Sequence, residues 1–551
     1  MELNKHVFKL TGLILALLLG EALQAQSPKK YWVRFTNKTG TPYSVNNPSA
    51  FLTQKSINRR LAYGIPVVNS DLPVNPSYIS QVANFPGVKV FFASKWLNGV
   101  VLSSTNLSSI NAIKALPFVN DTFQVNKYKV TFTEPPLHVS TAKTLNNNEK
   151  TTSGIYNYGN SYWQNKQLNV DCLHNQGFRG NGITIAVMDA GFFGVNSYQF
   201  FDSIRARGKI LGTRNFVNGG TDVYNNSTHG TMVMSCMAAI MPGVLIGSAP
   251  DAEYWLFNTE EGGSETISEE YNWIRAAEYA DSVGAHILTT SLGYTTFDKT
   301  NQNHSYATLN GRTAPMSIAA NLAARKGMFV VNSAGNEGAS LWQYISVAAD
   351  ADSVCAVGAV DSLGAYASFS GKGPTFDGRT KPDLVARGVG AWVCFNDTIP
   401  FPANGTSFSA PILAGAVACF WQAHKSFSSF DILDTLRKTA SNANNPDNFI
   451  GWGLPNMCAF PVGIKEEQSL SNAIHVVPNP FENNFSIQLD DSGLTIYEIS
   501  IFDAKGASVY KSKVLNREDL KIEVPELPGG FYILQLNTSS GTLSKKLLAQ
   551  P

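Results

Sequence analysis

The chain has 551 residues, of which 44% are hydrophobic and 15% are charged. This length exceeds that of one ordinary domain, so about three or four segments are expected, and the composition argues against a disordered or fibrous protein. The net charge is +1 and no basic run is dense enough to follow a phosphate backbone, which argues against a nucleic-acid partner.

Residues 1–25 have the layout of a secretory signal peptide. Lys5 and Lys9 precede an apolar stretch over residues 10–19, and Ala22 and Ala25 form a small-residue exit. The apolar stretch is short for a bilayer span, and nothing later in the chain reaches spanning length. The sequence therefore predicts an exported protein without a membrane span.

Residues 26–150 predict a small α+β unit followed by a linker. YWVRF (31–35) and VKVFF (88–92) have strand patterns, and LSSINAIKALPFV (107–119) predicts a short helix that leads into a strand. Residues 134–154 are polar with few apolar anchors, and exposed segments of this kind are where proteases cut. We therefore predict that the precursor is cleaved within about residues 134–156.

Residues 151–465 alternate between apolar strands and helices. The predicted strands cover residues 182–191, 252–258, 285–293, 328–338 and 354–360. The predicted helices cover residues 227–241, 264–284, 316–327 and 404–420. This alternation indicates an α/β fold with a doubly wound parallel sheet that is covered by helices on both faces.

Residues 466–551 begin with a polar joint and then contain only predicted strands. In TIYEISIFD (495–503), the apolar residues Tyr497, Ile499 and Ile501 alternate with polar positions. DAKG (503–506) predicts a turn, and residues 529–548 predict a hairpin by the same logic. Together these elements predict a small β-sandwich.

Six cysteines lie in the middle of the chain, and none has CxxC spacing. Export permits disulfides, but six cysteines allow 15 full pairings among which the sequence does not choose. For Cys236 and Cys419, in apolar helical runs, a buried free thiol and a bridge both stay open. No His/Cys cluster or HExxH spacing suggests a catalytic metal. The six are Cys172, Cys236, Cys355, Cys394, Cys419 and Cys458.

Four polar residues fall where predicted strands end or helices begin. Asp189 ends its strand in VMDAG, and His229 opens a helix in THGT. Asn336 follows a strand in AGNEG, and Ser407 opens a helix in GTSFSAP. Taken alone, each residue has a purely structural interpretation. In the order named, the four are a turn acid, a helix-start residue, a left-handed turn residue and a helix cap. Because functional groups gather at the carboxyl ends of strands, we expect the four side chains to meet.

Together the four residues are the components of acyl transfer. A serine hydroxyl is a poor nucleophile and needs an imidazole to take its proton, and the imidazole needs a carboxylate to hold its tautomer. The oxyanion needs donors, which the N–H group of Ser407 and the side-chain amide of Asn336 can supply. We expect Ser407 to cap its helix as well as to attack the substrate.

The order Asp, His, Ser is one of the three orders seen in unrelated serine hydrolases. Over about residues 156–460 the chain resembles the subtilisin-like serine proteases (subtilases), because AVMDAG, STHGT, TSLG, AGNEG and GTSFSAP occur in the order of that family. The resemblance implies that Ser407 is the nucleophile, His229 the base, Asp189 its orienting acid and Asn336 the oxyanion donor.

The same resemblance assigns substrate-binding residues. Ser291, Leu292 and Gly293 would form a backbone edge that pairs with the extended substrate. Ser333 and Gly335 would lie beside the pocket for the substrate side chain.

Two departures from the family pattern concern helix packing and specificity. The helix after the histidine has Met232, Met234 and Ser235 instead of the usual HGTHVAG continuation, and we expect these residues to repack the helix without touching the imidazole. Asn332 and Ser333 replace small apolar residues near the substrate pocket, which leaves the preferred substrate side chain open.

Two rival functions share this scaffold. A sedolisin-like acid serine protease would have a Glu in place of His229 and an Asp in place of Asn336, so both residues argue against it. A catalytically inactive surface binding module is argued against by the intact set of four. The chemistry requires no cofactor, and although calcium sites are common in subtilases, no acidic loop here is spaced well enough to nominate ligands.

The flanking segments resemble two other domain families. KSINRR (55–60), DLPVNPSYI (71–79) and SKWLNGVV (94–101) resemble the N-terminal propeptide of subtilases from bacteria with type IX secretion; a permanent accessory domain is the alternative. VVPNPF (476–481), GGFYILQL and the closing Lys545 and Lys546 resemble a type IX sorting domain; a carbohydrate-binding or generic β module is the alternative.

The complete prediction is a secreted or surface-attached serine endopeptidase that is made as an inactive precursor and acts on polypeptides. The resemblance implies two further partners, which are its own propeptide as an intramolecular inhibitor and a secretion machinery that recognises the C-terminal domain. The natural substrates and the fate of the C-terminal domain stay open.

Overall fold

The computed structural model describes residues 28–125, 154–225, 227–460, 474–489, 495–503, 506–516, 520–524, 527–538 and 541–550. The chain forms two compact units, Met1–Phe460 and Pro461–Pro551. The signal peptide, most of the predicted cleavage segment and the predicted boundaries at residues 25, 150 and 465 lie outside the described residues, so they stay predictions. Within the described ranges, no helix is long and apolar enough to cross a membrane.

The first unit begins with a four-stranded antiparallel sheet in the order β2-β3-β1-β4. Its strands are β1 (Lys29–Phe35), β2 (Val88–Ser94), β3 (Gly99–Ser104) and β4 (Val119–Gln124). Its helices are α1 (Gln54–Ala62), α2 (Pro76–Ala83) and α3 (Leu107–Lys114). This confirms the predicted α+β unit, to which the structure adds β3, α1 and α2.

The rest of the first unit is built on a seven-stranded parallel sheet in the order β13-β12-β11-β10-β5-β9-β6. The strands are β5 (Thr184–Asp189), β6 (Ile210–Asn215), β9 (Glu253–Asn258), β10 (Ile287–Thr290), β11 (Phe329–Ser333), β12 (Cys355–Val360) and β13 (Leu384–Arg387). The two strands that sequence analysis missed, β6 and β13, are the two edges of the sheet. Edge strands need fewer apolar residues than central strands. The sequence of β6, ILGTRN, mixes apolar and polar residues, and β13, LVAR, has only 4 residues.

Helices cover both faces of this sheet, as predicted. Ala186 and Met188 of β5 pack into one core with the helices α8 and α9, while the alternate residues of the strands face α7 and α10. The helices of this part are α4 (Tyr162–Lys166), α5 (Val170–Asn175), α6 (Asp202–Ala206), α7 (His229–Ala238), α8 (Ser268–Val283), α9 (Pro315–Arg325), α10 (Thr406–Ala423) and α11 (Ser429–Lys438). Two short hairpins add β7 (Ile240–Met241) with β8 (Leu245–Ile246), and β14 (Ala391–Val393) with β15 (Phe401–Ala403).

The N-terminal sheet packs against helix α8. Strand β1 is buried on both faces because Val33 joins the small core beneath α2 and α3, whereas Trp32 joins the larger core and lies 4.8 Å from the ring of Tyr271 on α8. The C-cap of helix α8 is Gly284, which has a φ of +80° and lies so close to α1 that a Cβ there would be 2.7 Å from the backbone nitrogen of Ser56. The glycine therefore serves both the helix end and the close approach of α1.

One disulfide joins Cys172 in α5 to Cys458 beyond the last helix of the unit, across 286 residues. The other four cysteines are buried and unbridged. For Cys236 and Cys419, which the sequence left open, the structure therefore selects the free thiol. Burial raises the pKa of the Cys236 thiol, which keeps the group protonated and unreactive.

Removing the Cys172–Cys458 disulfide is expected to lower the thermal midpoint of the precursor by about 10 °C, because a bridge that closes so long a loop contributes about 5 kcal/mol through chain entropy. The measurement is thermal unfolding of the Cys172→Ser/Cys458→Ser variant in the Ser407→Ala background, which prevents autolysis. Cys394→Ala, which alters a buried free thiol, is the matched control. An equal midpoint for the two variants would contradict the prediction.

The second unit contains two antiparallel sheets, in the orders β16-β17-β20 and β19-β18-β21-β22. Its strands are β16 (Ile474–Val477), β17 (Asn484–Leu489), β18 (Ile496–Phe502), β19 (Ser508–Asn516), β20 (Leu520–Glu523), β21 (Gly530–Thr538) and β22 (Gly541–Ala549). Buried residues from both sheets, such as Ile487 and Leu534, form one core. The predicted sandwich and its closing hairpin, β21 with β22, are confirmed.

The predicted alternation in β18 is wrong at its first residue. Ile499 and Ile501 are buried as expected, but Tyr497 is 47% exposed and Ile496 is buried in its place. The strand pairs irregularly with both neighbours between Ile496 and Glu498. A bulge of this kind turns one residue out of the alternation, which a strict two-residue period does not anticipate.

Candidate active site

The residues singled out by the sequence meet at the carboxyl edge of the seven-stranded sheet. Asp189 is the last residue of β5, and Ser291 follows the neighbouring strand β10. Asn336 lies three residues beyond β11. His229 and Ser407 are the first and second residues of α7 and α10, so both side chains stand at helix N-termini that point to this edge.

Asp189 and His229 form a hydrogen-bonded pair. The Nδ1 atom of His229 lies 2.7 Å from Oδ1 of Asp189, which also accepts the backbone N–H of Ala190 at 2.8 Å. Asp189 is completely buried, and His229 is partly exposed. A carboxylate bound at Nδ1 holds the proton on that nitrogen and leaves Nε2 as the basic position of the ring.

Ser407 is linked to Ser291 by two hydrogen bonds. Its Oγ donates to the carbonyl of Ser291 at 3.4 Å, a long bond, and Oγ of Ser291 donates to the carbonyl of Ser407 at 2.8 Å. The ring of Phe408, the next residue, lies 6.3 Å from the imidazole of His229. The start of α10 therefore lies beside both the end of β10 and the imidazole of His229.

The expectation that Ser407 caps its own helix is wrong. The N-cap of α10 is Gly405, and Ser407 lies inside the helix with its hydroxyl directed to β10. Asn336 performs the capping from another segment, because its Oδ1 accepts the backbone N–H of Thr406 at 2.9 Å and the hydroxyl of Thr406 at 3.0 Å. The signal in the sequence was ambiguous because Ser, Thr and Gly all favour helix starts.

Two N–H donors converge beside Gly405. With Oδ1 of Asn336 held by Thr406, its Nδ2 turns toward Gly405, where a Cβ would lie 3.8 Å from Nδ2 and 3.7 Å from the backbone nitrogen of Ser407. Gly405 has a φ of +151°, a conformation that side chains rarely adopt. The glycine therefore leaves free a space that both nitrogen atoms border, together with Cε2 of Phe408 at 3.6 Å.

Two of the predicted substrate-binding residues, Gly293 and Gly335, lie close to a residue that sequence analysis missed, Ser346. A Cβ on Gly293 would lie 2.0 Å from Oγ of Ser346, and a Cβ on Gly335 would lie 3.2 Å from the same atom. Ser346 is buried, and its hydroxyl has no hydrogen-bond partner in the described part of the chain. Ser346 falls in no recognised motif, so only the tertiary structure places it here.

The residues that depart from the family pattern also have defined positions. The buried amide of Asn332 donates to the carbonyl of Leu292 at 3.2 Å and to the carbonyl of Ser333 at 2.8 Å, which ties the two predicted pocket segments together. In α7, Met232, Met234 and Ser235 are buried in the helix packing.

A second carboxyl group, that of Glu260, lies close to the Asp189–His229 pair. Its Oε1 accepts the hydroxyl of Tyr294 at 2.7 Å and the hydroxyl of Thr259 at 2.9 Å. Burial is the main reason that the pKa of Glu260 is raised to about 7, and the negative charge of Asp189 raises it further against the effect of those hydrogen bonds. Glu260 is thus largely protonated in mild acid and titrates near neutrality.

No group of three or more His, Cys, Asp or Glu side chains in the described ranges is arranged to hold a metal ion. The site therefore consists of an imidazole–carboxylate pair, a helix-borne hydroxyl and two convergent N–H donors.

Comparisons with known sequences and structures find relatives for three parts of the chain. The subtilase family matches residues 180–453. The Peptidase S8 propeptide domain of Bacteroidota matches residues 30–144, and the secretion system C-terminal sorting domain matches residues 475–550. The sorting domain indicates export to the cell surface or the medium.

Similar proteins include two subtilisins. Subtilisin BL of Lederbergia lenta is 30% identical over 295 residues, which cover 53% of this chain and 96% of that protein. Subtilisin E of Bacillus subtilis (strain 168) is 30% identical over 301 residues, which cover 53% of this chain and 69% of that protein. The crystal structure of MycP1 with its N-terminal propeptide removed is 21% identical with a TM-score of 0.43, covering 55% of this chain and 98% of that one.

Proposed function

The chain belongs to the subtilase family, and from this premise we propose that it is a secreted serine endopeptidase that hydrolyses peptide bonds through an acyl-enzyme on Ser407. The observation that carries the proposal is the 2.7 Å contact between Nδ1 of His229 and Oδ1 of Asp189. An imidazole oriented by a carboxylate, at the same sheet edge as a helix-borne hydroxyl, is what acyl transfer needs, whereas a binding module does not require it.

In the first half of the reaction, Oγ of Ser407 adds to the carbonyl carbon of the substrate, and Nε2 of His229 accepts the hydroxyl proton. Asp189 holds the imidazole and balances the charge of the imidazolium. The C–N bond then breaks as His229 gives the proton to the leaving amine, and the acyl group stays on Ser407 as an ester. Water, activated by His229, hydrolyses this ester and restores the hydroxyl.

The tetrahedral oxygen would be bound beside Gly405 by the N–H of Ser407 and by Nδ2 of Asn336. The support is the convergence of the two donors on that space and the bonds from Thr406 that hold Asn336 in place. Donors that are fixed before the reaction stabilise the developing charge without reorganisation. Extended substrate backbone would pair with the edge formed by Ser291, Leu292 and Gly293.

The N-terminal unit would act as an intramolecular inhibitor until the linker is cut. The end of β4 supports this assignment, because the backbone carbonyl of Gln124 accepts Nε2 of Gln302, in the loop that follows the substrate edge, at 2.9 Å. Lys30 of β1 pairs with Glu261, next to Glu260, at 3.0 Å. The last described residues before the linker thus lie close to the segment that follows the proposed substrate edge.

A serine-reactive fluorophosphonate probe tests the proposal, with the labelled peptide located by mass spectrometry. We expect the processed wild-type protein to be labelled on Ser407 and to hydrolyse casein. Ser409→Ala is the matched control, because this neighbouring hydroxyl only donates to the carbonyl of Thr406 at 3.0 Å. A processed wild type that neither labels nor cleaves would overturn the protease assignment in favour of the inactive binding module.

Replacing Asn336 with aspartate is expected to lower kcat by about 10²–10³ with little change in KM, because the change removes one oxyanion donor. Aspartate keeps the oxygen that caps Thr406, so helix α10 retains its start. The measurement is steady-state hydrolysis of a chromogenic peptide. Thr406→Val removes one hydrogen bond to Asn336 but no proposed oxyanion donor, so it should stay within about fivefold of wild type. Equal losses in both variants would contradict the assigned role.

A further inference from the structure

The second carboxylate oxygen of Asp189 is unexplained by the catalytic pair. While Oδ1 binds His229 and Ala190, Oδ2 is fully buried and has no hydrogen-bond partner in the described part of the chain. A buried carboxylate oxygen without a donor is costly, so native proteins rarely leave one unpaired. A donor for this atom should therefore lie close to it.

The side chain of Asn258 is placed to supply a donor for Oδ2 of Asp189. It ends strand β9 directly beside Asp189, since the two residues are register partners of parallel strands. Register partners of adjacent strands present their side chains to the same face, with strands about 4.8 Å apart. Asn258 is 1% exposed, and its Nδ2 is itself a buried donor without a hydrogen-bond partner among the described residues.

The backbone after β9 orients this amide. The N–H of Glu260 donates to Oδ1 of Asn258 at 3.2 Å, which assigns the opposite end of the amide, Nδ2, to face away from that turn. The N–H of Thr259 donates to the carbonyl of Asp189 at 3.2 Å, which ties the same turn to the end of β5. An unpaired buried donor and an unpaired buried acceptor thus stand on neighbouring residues of one strand pair.

We infer that Asn258 is the positioning residue of the proposed catalytic acid. Its Nδ2 donates to Oδ2 of Asp189 across one bridging water, while Oδ1 stays with His229. Held at both oxygens, the carboxylate cannot turn about its Cβ–Cγ bond, so the imidazole keeps its orientation toward Ser407. The donor also withdraws negative charge from Asp189, which limits how far the acid stabilises the imidazolium. The inference rests on the proposed function, since the role has meaning only in an active protease.

The inference has two kinetic consequences. Loss of the donor lets the carboxylate rotate, which lowers kcat and leaves KM nearly unchanged because no substrate contact is lost. It also leaves more negative charge on Asp189, so the imidazolium is favoured and the acidic limb of the kcat/KM profile moves to higher pH. A residue that only fills the core would lower stability without moving this limb.

The isosteric pair Asn258→Thr and Asn258→Val isolates the donor, because threonine can donate a hydrogen bond and valine cannot. We expect the threonine variant to stay within about threefold of wild type and the valine variant to lose about tenfold in kcat. Asn258→Asp keeps the acceptor for Glu260 but adds a charge beside Asp189, and it should lose about 100-fold, with the acidic limb raised by about one pH unit.

Two controls separate other causes. Asn165→Asp alters another buried amide, whose Nδ2 donates at 3.0 Å to the carbonyls of Ser161 and Ile246, and it should leave the limb in place. Glu260→Gln removes a neighbouring carboxyl that interacts with both Asp189 and His229. If the acidic limb of the kcat/KM profile persists in this variant, the limb belongs to the Asp189–His229 pair and not to Glu260.

The mature enzyme and its variants are assayed for peptide hydrolysis between pH 4 and 10, and thermal midpoints are recorded beside the kinetics. Activity of wild type establishes the protease first, so an inactive wild type refutes the proposed function rather than the role of Asn258. The inference would be overturned if the Asn258→Thr and Asn258→Val variants had equal kcat. It would also be overturned if the acidic limb of the kcat/KM profile moved as far in Asn165→Asp as in Asn258→Asp.

Discussion

Alanine at position 407 is expected to lower kcat for peptide hydrolysis by about 10⁶, the largest effect of any single change in this chain. The substitution removes the atom that is proposed to form the acyl-enzyme, so His229 has no hydroxyl proton to accept. Substrate binding is expected to be kept, because the proposed substrate edge at Ser291 and Gly293 and the proposed donor on Asn336 are unaltered. The residual rate over water, about 10³-fold, would come from the oxyanion donors and binding alone.

The measurement combines intact mass of the full precursor with the fluorophosphonate probe. The wild-type protein should lose its N-terminal segment and become labelled by the probe. The Ser407→Ala variant should keep the mass of the full precursor and stay unlabelled. Ser409→Ala should behave as wild type. If the alanine variant stays unlabelled but is still shortened, another protease matures the chain and only the self-processing is disproved. If it keeps appreciable activity, Ser407 is not the nucleophile.

A second large effect, on the stability of the precursor, is expected from a substitution where the N-terminal α+β segment contacts helix α8. Asp281 of α8 receives two guanidinium groups of α1, that of Arg59 at 2.6 Å and that of Arg60 at 2.8 Å, and the ammonium group of Lys95 at 3.4 Å. Arg60 also binds Asp71 of the N-terminal α+β segment at 3.1 Å. These side chains are at most 9% exposed, so the network is shielded from water and salt.

The titration of Asp281 follows from this network. Burial by itself raises the pKa of the carboxyl, but Lys95, Arg60 and Arg59 outweigh burial and lower it to about 2. A carboxyl whose pKa is lower in the folded state contributes stability that is present above its unfolded pKa of about 3.9 and is lost as the pH falls through about 2. Mild acid, near pH 5, should therefore leave the anchor intact.

Asp281→Asn is expected to destabilise the precursor by about 3–5 kcal/mol, because it leaves buried guanidinium groups without their counter-charge. The thermal midpoint should fall by about 10 °C, and the N-terminal unit should become sensitive to trypsin. Both are measured on the full precursor in the Ser407→Ala background. The matched control is Glu253→Gln, which breaks the more exposed pair between Lys55 of α1 and Glu253 at 2.8 Å and should cost less than about 1 kcal/mol.

Equal destabilisation by the two variants would show that burial of the network does not govern the anchor. If Glu253→Gln destabilised the precursor more than Asp281→Asn, the more exposed Lys55–Glu253 pair would be the main attachment of α1 instead.

Much of the site could be predicted from the sequence because its residues carry local signals. Asp189, His229 and Ser407 each lie at a junction of a strand or helix within a short motif, and a parallel sheet brings all such junctions to one edge. The prediction failed where the partner of a residue is distant in the chain. Ser407 looked like a cap because its neighbours favour helix starts, yet the cap is supplied by Asn336, 70 residues before Thr406.

The amino-acid sequence by itself determined the order of the three parts, the parallel sheet and the four residues at its edge, since alternation and short motifs are properties of contiguous chain. Only the tertiary structure decided that Cys172 pairs with Cys458, that Asp281 faces the arginines of α1, and that Asn258 stands beside Asp189. These pairings depend on register and packing between segments far apart in sequence, which no local pattern encodes.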